Sequence, residues 1–79
     1  MYEITYYLDG NAVRYGILFN TIWGAVFKAR CITEIHKICT DVMDMQNGNI
    51  LASFSSTGNV YADPDLPEDI KTLIYTPIE

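Results

Sequence analysis

The sequence predicts an α+β fold in which two β-hairpins flank one long helix, in the order ββαββ. Hydrophobic and polar residues alternate over residues 2–8 and 13–19, and this period of two is typical of half-buried strands. From Thr21 onward the hydrophobic residues recur at steps of three and four, which is the period of a helix. Asn47-Gly48-Asn49 is a strong hairpin turn. We therefore expect a small, mostly antiparallel sheet of four or five strands with the helix packed on one face.

The first hairpin is predicted from the strand pattern and from the residues between the strands. Gly10 and Asn11 both tolerate a positive φ, so the turn is expected there. Gly16 interrupts the second strand and predicts a bulge or a close backbone approach. The side chains expected to point into the core are Tyr2, Ile4, Tyr6, Leu8, Val13, Tyr15, Ile17 and Phe19.

The long helix is predicted over residues 21–39, with Asn20 or Thr21 as its N-cap. Its hydrophobic face runs from Ile22 to Cys39, and Trp23 is expected to anchor the core from the first turn. A competing interpretation ends the helix near residue 30 and begins a strand near residue 34.

The second half of the chain predicts shorter elements. Strands are expected over residues 41–46 and 50–55, and a brief last strand at residues 60–61. The chain is predicted to be one domain, 1–79, with an acidic C-terminal appendage over residues 62–79. Asp65 and Glu68 have capping-box spacing, which predicts a short helix over 66–73.

The charge is strongly acidic and unevenly distributed. The net charge is -5, which disfavours direct binding to nucleic acid or to an anionic membrane surface. Residues 40–79 hold seven of the ten acidic residues and one of the five basic ones. Four of these seven are Asp63, Asp65, Glu68 and Asp69. They form either a solvated loop that keeps the protein soluble or an anionic docking patch for a larger basic protein.

Neither a signal peptide nor a membrane span is expected, because no basic start precedes an apolar run and no apolar run is long enough. The expected location is cytoplasmic, with reduced thiols. Cys31 and Cys39 share one face of the predicted helix and are expected to be buried and structural, whereas His36 lies elsewhere on its surface. These three cannot converge on one ion, so neither a metal nor another cofactor is expected.

The motifs of common catalytic sites are missing from the sequence. The five glycines are scattered singly, without the spacing of a phosphate-binding loop. Asp41 and Asp44 fall on opposite faces of one predicted strand, which disfavours an acid–base pair. We therefore expect a protein that is not an enzyme. In size, acidity and lack of catalytic motifs, the chain resembles, as a class, small phage or mobile-element proteins that inhibit host machinery.

Aromatic residues point to an interface, since the chain contains six tyrosines and tyrosine suits buried contacts between proteins. Tyr7 falls on the sheet face opposite the predicted core, near Arg14 and Leu18. The expected function is a non-enzymatic binding or inhibitor protein. The residues predicted to contact its partner are Tyr7, Asp63, Asp65, Glu68 and Asp69.

The alternative function is a small-ligand or nucleotide-binding oligomer. Its site would lie between protomers and would use Arg14, Lys28 or Arg30 together with tyrosines. Self-association also fits the small size of the core, and the expected homodimer uses the open sheet face or an edge strand.

Overall fold

The computed structural model describes residues 1–76 of the chain and has the element order ββαβββα. It confirms an α+β fold built on an antiparallel sheet. The predicted order ββαββ matches only roughly, because the last short strand belongs to the sheet and a second helix follows it. The elements are β1 (Tyr2–Leu8), β2 (Asn11–Phe19), α1 (Ile22–His36), β3 (Thr40–Asp44), β4 (Ile50–Phe54), β5 (Val60–Ala62) and α2 (Glu68–Tyr75).

The sheet has five strands in the order β2-β1-β3-β4-β5, and every neighbouring pair is antiparallel. Both helices pack on one face, where alternate strand residues meet the buried side of α1. Ile4 of β1 and Val42 of β3 lie at the centre of this core and are fully buried. Tyr2, Tyr6 and Tyr15 pack around the core, as predicted.

The β1–β2 turn is made by Asp9 and Gly10, whose φ angles are 51° and 82°. Two positive φ values at the central positions are the signature of a type I′ turn, so the turn lies one residue earlier than predicted. The bulge predicted at Gly16 is confirmed, since Gly16 has a φ of 91° and the β1–β2 register shifts beside it. The bulge turns Ile17 outward, with 57% of its surface exposed, and the prediction that Ile17 faces the core is wrong.

Helix α1 begins as predicted and ends earlier. The Thr21 hydroxyl caps it by accepting a hydrogen bond from the Gly24 backbone N–H at 3.1 Å. The helix stops at His36 because Lys37 is left-handed, with a φ of 58°. The predicted end at residue 39 is therefore too late, and the competing end near residue 30 is also wrong. Trp23 is 47% exposed, so it does not anchor the core.

Helix α2 closes one end of the core with two residues, Ile70 and Ile74, which are both buried. The predicted capping box is wrong, because the N-cap is Pro67 and no side chain caps the helix. The Asp65 backbone N–H instead donates to the Asp63 carboxylate at 2.8 Å. Residues 77–79 of the predicted appendage lie outside the described residues. Neither helix of the described chain has the length and apolar character needed to cross a membrane.

Candidate docking face

One face of the sheet is left uncovered by the helices, and we call it the open face. Strand alternation and register place several polar and aromatic side chains on it, six of which define its centre and edges. They are Tyr7, Arg14, Leu18, Asp41, Ser53 and Tyr61. The three large ones, Tyr7, Leu18 and Tyr61, are 37%, 44% and 47% exposed. An uncovered sheet face with exposed aromatic groups is the type of surface on which a partner can pack.

A hydrogen-bonded group of three side chains crosses the middle of this face. The Tyr7 hydroxyl donates to Asp41 Oδ2 at 2.6 Å, and the Ser53 hydroxyl donates to Asp41 Oδ1 at 2.8 Å. Each carboxylate oxygen therefore holds one donor from a neighbouring strand. The three side chains lose rotamer freedom in the free protein, so a partner that packs on Tyr7 meets an already ordered ring.

The hydrogen bond to Asp41 also affects the titration of Tyr7. The pKa of Tyr7 is raised, chiefly because its phenol donates to Asp41, with partial burial and the negative charges of Asp41 and Cys39 adding to the effect. The neutral phenol is thus the form present near neutral pH. Tyr7 offers an apolar ring while its polar tip is already satisfied within the protein.

Cys39 lies on the open face rather than in the helix. Its Sγ is 4.0 Å from Ser55 Oγ and 3.9 Å from Ser56 Oγ. The pKa of Cys39 is lowered, mainly because the Ser56 backbone N–H hydrogen-bonds to the sulfur; the two hydroxyls add to this, while partial burial and the charge of Asp41 oppose it. The expectation of a buried Cys39 on α1 is therefore wrong. Cys31 is on α1 and is also only half-buried.

A shallow depression lies beside the three-residue group. It has a volume of about 260 Å³, and Asp41, Ser53, Cys39 and Tyr61 contribute to its lining. Tyr61 stands directly opposite Ser53 in the β4–β5 pair. The depression has room for one side chain of a partner, and a carboxylate and an aromatic ring both line it.

The acidic residues predicted for docking do not share this site with Tyr7. Strands β3 and β4 separate β1, which carries Tyr7, from β5, after which the acidic residues begin. Asp63 and Asp65 form the turn after β5, while Glu68 and Asp69 occupy the first turn of α2. We call these four residues the acidic segment. Carboxylates in a first helical turn also stabilise the helix, so the segment contributes to local structure as well as to charge.

Three residues of the open face escaped the sequence analysis. From the sequence, Asp41 is considered only with Asp44, as a disfavoured acid–base pair, and neither Ser53 nor Tyr61 is singled out. The available signal was a carboxylate inside a strand rather than in a turn. The partners of Asp41 come from β1 and β4, which are 34 and 12 residues away in sequence, so only the register of the folded sheet brings them together.

The cations of the alternative ligand site point in different directions within one protomer. Arg14 lies on the open face, 3.7 Å from Glu3. The Lys28 ammonium lies 5.7 Å from the ring centroid of Tyr15, on the helix side of the sheet. Arg30 is buried and donates to the Leu73 carbonyl oxygen. Over residues 1–76, no three His, Cys, Asp or Glu side chains are grouped so that they could hold a metal ion.

Comparison of the chain with family models, with curated proteins and with solved structures finds no match. The open face and the charge distribution are therefore the features that bear on function.

Proposed function

We propose that this protein is a non-enzymatic, cytoplasmic binding protein of the inhibitor type, which docks its open face onto a larger basic protein. The observation that carries the proposal is the ordered Tyr7–Asp41–Ser53 group on a sheet face that neither helix covers. Tyr61, which β3 and β4 separate from Tyr7, supplies a second exposed ring on the same face. Tyrosine rings held in place by the protein itself are typical centres of binding energy.

The charge of the open face favours a basic partner. Glu3 is buried and pairs with Arg14 at 3.7 Å, so the carboxylate left for a partner on this face is that of Asp41. Asp41 accepts only neutral donors, so its negative charge is not neutralised within the protein. A lysine or arginine of the partner that enters the neighbouring depression would pair with this carboxylate.

The acidic segment has a different role in this proposal, because it lies at the far side of the sheet. Its charges act over distances of about a Debye length, which is near 8–10 Å in physiological salt. Such charges accelerate the encounter with a basic partner and contribute less to the lifetime of the complex. The ring of Tyr7 should have the opposite effect, because a buried contact mainly slows dissociation.

The test begins with immobilised wild-type protein and two single variants, Tyr7→Ala and Tyr75→Ala, in lysate of the native host. Tyr75 is the matched control, since it is 57% exposed but lies on α2, on the helix side. Quantitative mass spectrometry should show a basic protein that the wild type and the Tyr75 variant retain and that the Tyr7 variant loses. Retention of the same proteins by all three would contradict docking through the open face.

Surface plasmon resonance with the captured partner then separates the effect of the Tyr7 contact on dissociation from the effect of the acidic segment on association. Tyr7→Ala should raise the dissociation rate and cost about 1–3 kcal/mol of binding free energy. Asp65→Asn with Glu68→Gln removes two charges while keeping side-chain shape, and it should slow association at low salt with little effect on dissociation. An unchanged association rate at low salt would show that the acidic segment keeps the protein soluble and does not contribute to docking.

A further inference from the structure

A cleft opens on the helix side of the sheet, between α1 and the half of the β1–β2 hairpin nearer its turn. It has a volume of about 460 Å³. The hairpin supplies three of its lining residues, α1 supplies two and the segment after α1 supplies one. They are Tyr6, Leu8, Tyr15, Ile32, His36 and Ile38. Clefts of about 300–1,000 Å³ with mostly apolar walls are the usual sites of small-molecule ligands in proteins.

The apolar and aromatic lining of the cleft favours a flat ring system. Ile32 of α1 is only 7% exposed, while the rings of Tyr6 and Tyr15 come from two neighbouring strands. Aromatic rings pack well on such surfaces, by stacking or edge to face. A cavity of about 150 Å³ holds one benzene ring, so the cleft has room for two fused rings with a substituent.

Polar groups of the cleft are free to bind a ligand. Within residues 1–76, no protein group hydrogen-bonds to the hydroxyls of Tyr6 and Tyr15 or to the imidazole of His36. Each of these three groups can donate a hydrogen bond. An apolar cleft that holds a few unsatisfied polar groups is suited to orienting a ligand that carries one polar substituent.

The charges around the cleft favour an anionic substituent. The Lys28 ammonium lies 5.7 Å from the ring centroid of Tyr15. Lys28, Ile32 and His36 follow one another at steps of four residues, so they lie on the same side of α1. None of the described residues that line the cleft is acidic. The cleft therefore combines hydrogen-bond donors with a neighbouring cation, in a protein whose net charge is -5.

We propose that this cleft binds a small aromatic carboxylate with two fused rings. The rings pack on Ile32 between the side chains of Tyr6 and Tyr15. The carboxylate lies at the Tyr15 end of the cleft, where it accepts hydrogen bonds from the Tyr15 hydroxyl and the Lys28 ammonium. Such bonds to an ionised acceptor are about twice as strong as those between neutral groups.

A depression of similar volume on α2, about 450 Å³, does not have this chemistry. Its lining contains no leucine, isoleucine or valine, and it includes the carboxylate of Glu68 beside Lys71 and Tyr75. A ring system finds no aliphatic floor there, and an anion meets a like charge. Because this depression also has a lysine and a tyrosine, it supplies matched controls for the cleft.

This site differs from the ligand site expected from the sequence. It lies within one protomer, and of the three cations considered there it uses only Lys28. It is also on the opposite side of the sheet from the open face, because α1 forms one of its walls. The inference therefore does not depend on the proposed function, and either one can fail without the other.

Titration with 2-naphthoate, followed by ¹H–¹⁵N correlation NMR, tests the site. The backbone amides of Tyr6, Tyr15 and Ile32 should shift saturably, with a dissociation constant of about 0.1–1 mM. The uncharged 2-naphthamide has the same rings and should bind about tenfold more weakly. The proposal is overturned by the absence of saturable shifts, by shifts confined to the open face or to α2, or by equal affinity for the two probes.

Two matched pairs of variants test the polar contacts. Lys28→Gln should weaken the binding of 2-naphthoate about fivefold, and Tyr15→Phe, which removes only the hydroxyl, should weaken it about threefold. Lys71→Gln and Tyr75→Phe remove the same groups from α2 and should bind like the wild type. In all four, NMR signals distant from the substitution should keep their positions, which verifies the fold. Wild-type affinity in both cleft variants, or equal losses in the α2 variants, would overturn the proposal.

Discussion

A buried pair of hydroxyls joins α1 to the central strand β3, and its removal should measurably weaken the fold. Thr40 is fully buried, and its hydroxyl donates to the Ala29 carbonyl oxygen at 3.1 Å. The Thr33 hydroxyl lies 2.9 Å from Thr40 Oγ1. Because Thr40 has given its only proton to Ala29, Thr33 is the donor of this second bond. Thr40→Val preserves shape and removes both bonds.

The expected cost follows from these two contacts. Each hydrogen bond contributes about 0.5–1.5 kcal/mol net, and the new buried methyl group returns up to about 0.8 kcal/mol. Thr40→Val should therefore lower the free energy of unfolding by about 1–2 kcal/mol. Thr33→Val should cost about 1 kcal/mol. The double variant should cost about 1 kcal/mol less than the sum of the singles, because the bond between the hydroxyls is lost only once.

Urea denaturation followed by circular dichroism measures all three variants. The transition midpoints should fall while the slopes stay unchanged. Thr5→Val, on the open face, is the control and should change stability by less than about 0.5 kcal/mol. Strictly additive losses from Thr33→Val and Thr40→Val, or a Thr40 variant as stable as the wild type, would refute this account of the α1–β3 contact.

Three further predictions concern single groups. Cys39 should react with iodoacetamide faster than Cys31 near neutral pH, because its lowered pKa favours the thiolate; equal rates in native-state mass spectrometry would contradict this. The raised pKa of Tyr7 stabilises the fold below the pKa of Tyr7 in the unfolded chain, and this contribution should disappear as pH rises through its folded value. Asp41→Asn should therefore shift the absorbance titration of Tyr7 to lower pH, and an unshifted curve would exclude the hydrogen bond. Gly16→Ala should cost about 1–2 kcal/mol in urea denaturation, because its φ is 91°, and no loss would argue against the bulge.

Local patterns in the sequence were sufficient for most of the fold. Alternation over residues 2–8 requires a strand with one buried face, since successive side chains point to opposite sides. The conformational freedom of glycine is enough to predict the bulge at Gly16 and the turn at Asn47-Gly48-Asn49. The hydroxyl of Thr21 is enough to predict the N-cap of α1. These features depend on a few adjacent residues, so no distant contact is needed to predict them.

Tertiary structure decided where the elements end and what the open face presents. Helix α1 ends at His36, whereas the hydrophobic pattern continues to Cys39, because pairing of Thr40 with Tyr6 commits the chain to β3. The outward turn of Ile17 depends on how β2 accommodates its bulge against β1. The first outcome involves pairing with a strand distant in sequence, and the second depends on the register across the β1–β2 hairpin. A local period encodes neither of them.

The same division applies to function. Net charge, its concentration in the second half of the chain and the abundance of tyrosine follow from the sequence alone, and they predict a binding protein with a basic partner. The Tyr7–Asp41–Ser53 group exists only because β1, β3 and β4 are neighbours in the sheet. Along the chain, Asp41 is 34 residues from Tyr7 and 12 residues from Ser53. The exposure of Phe27 and Ile35 on α1 likewise became visible once packing showed which side of the helix the core uses, because burial depends on the whole fold and not on periodicity.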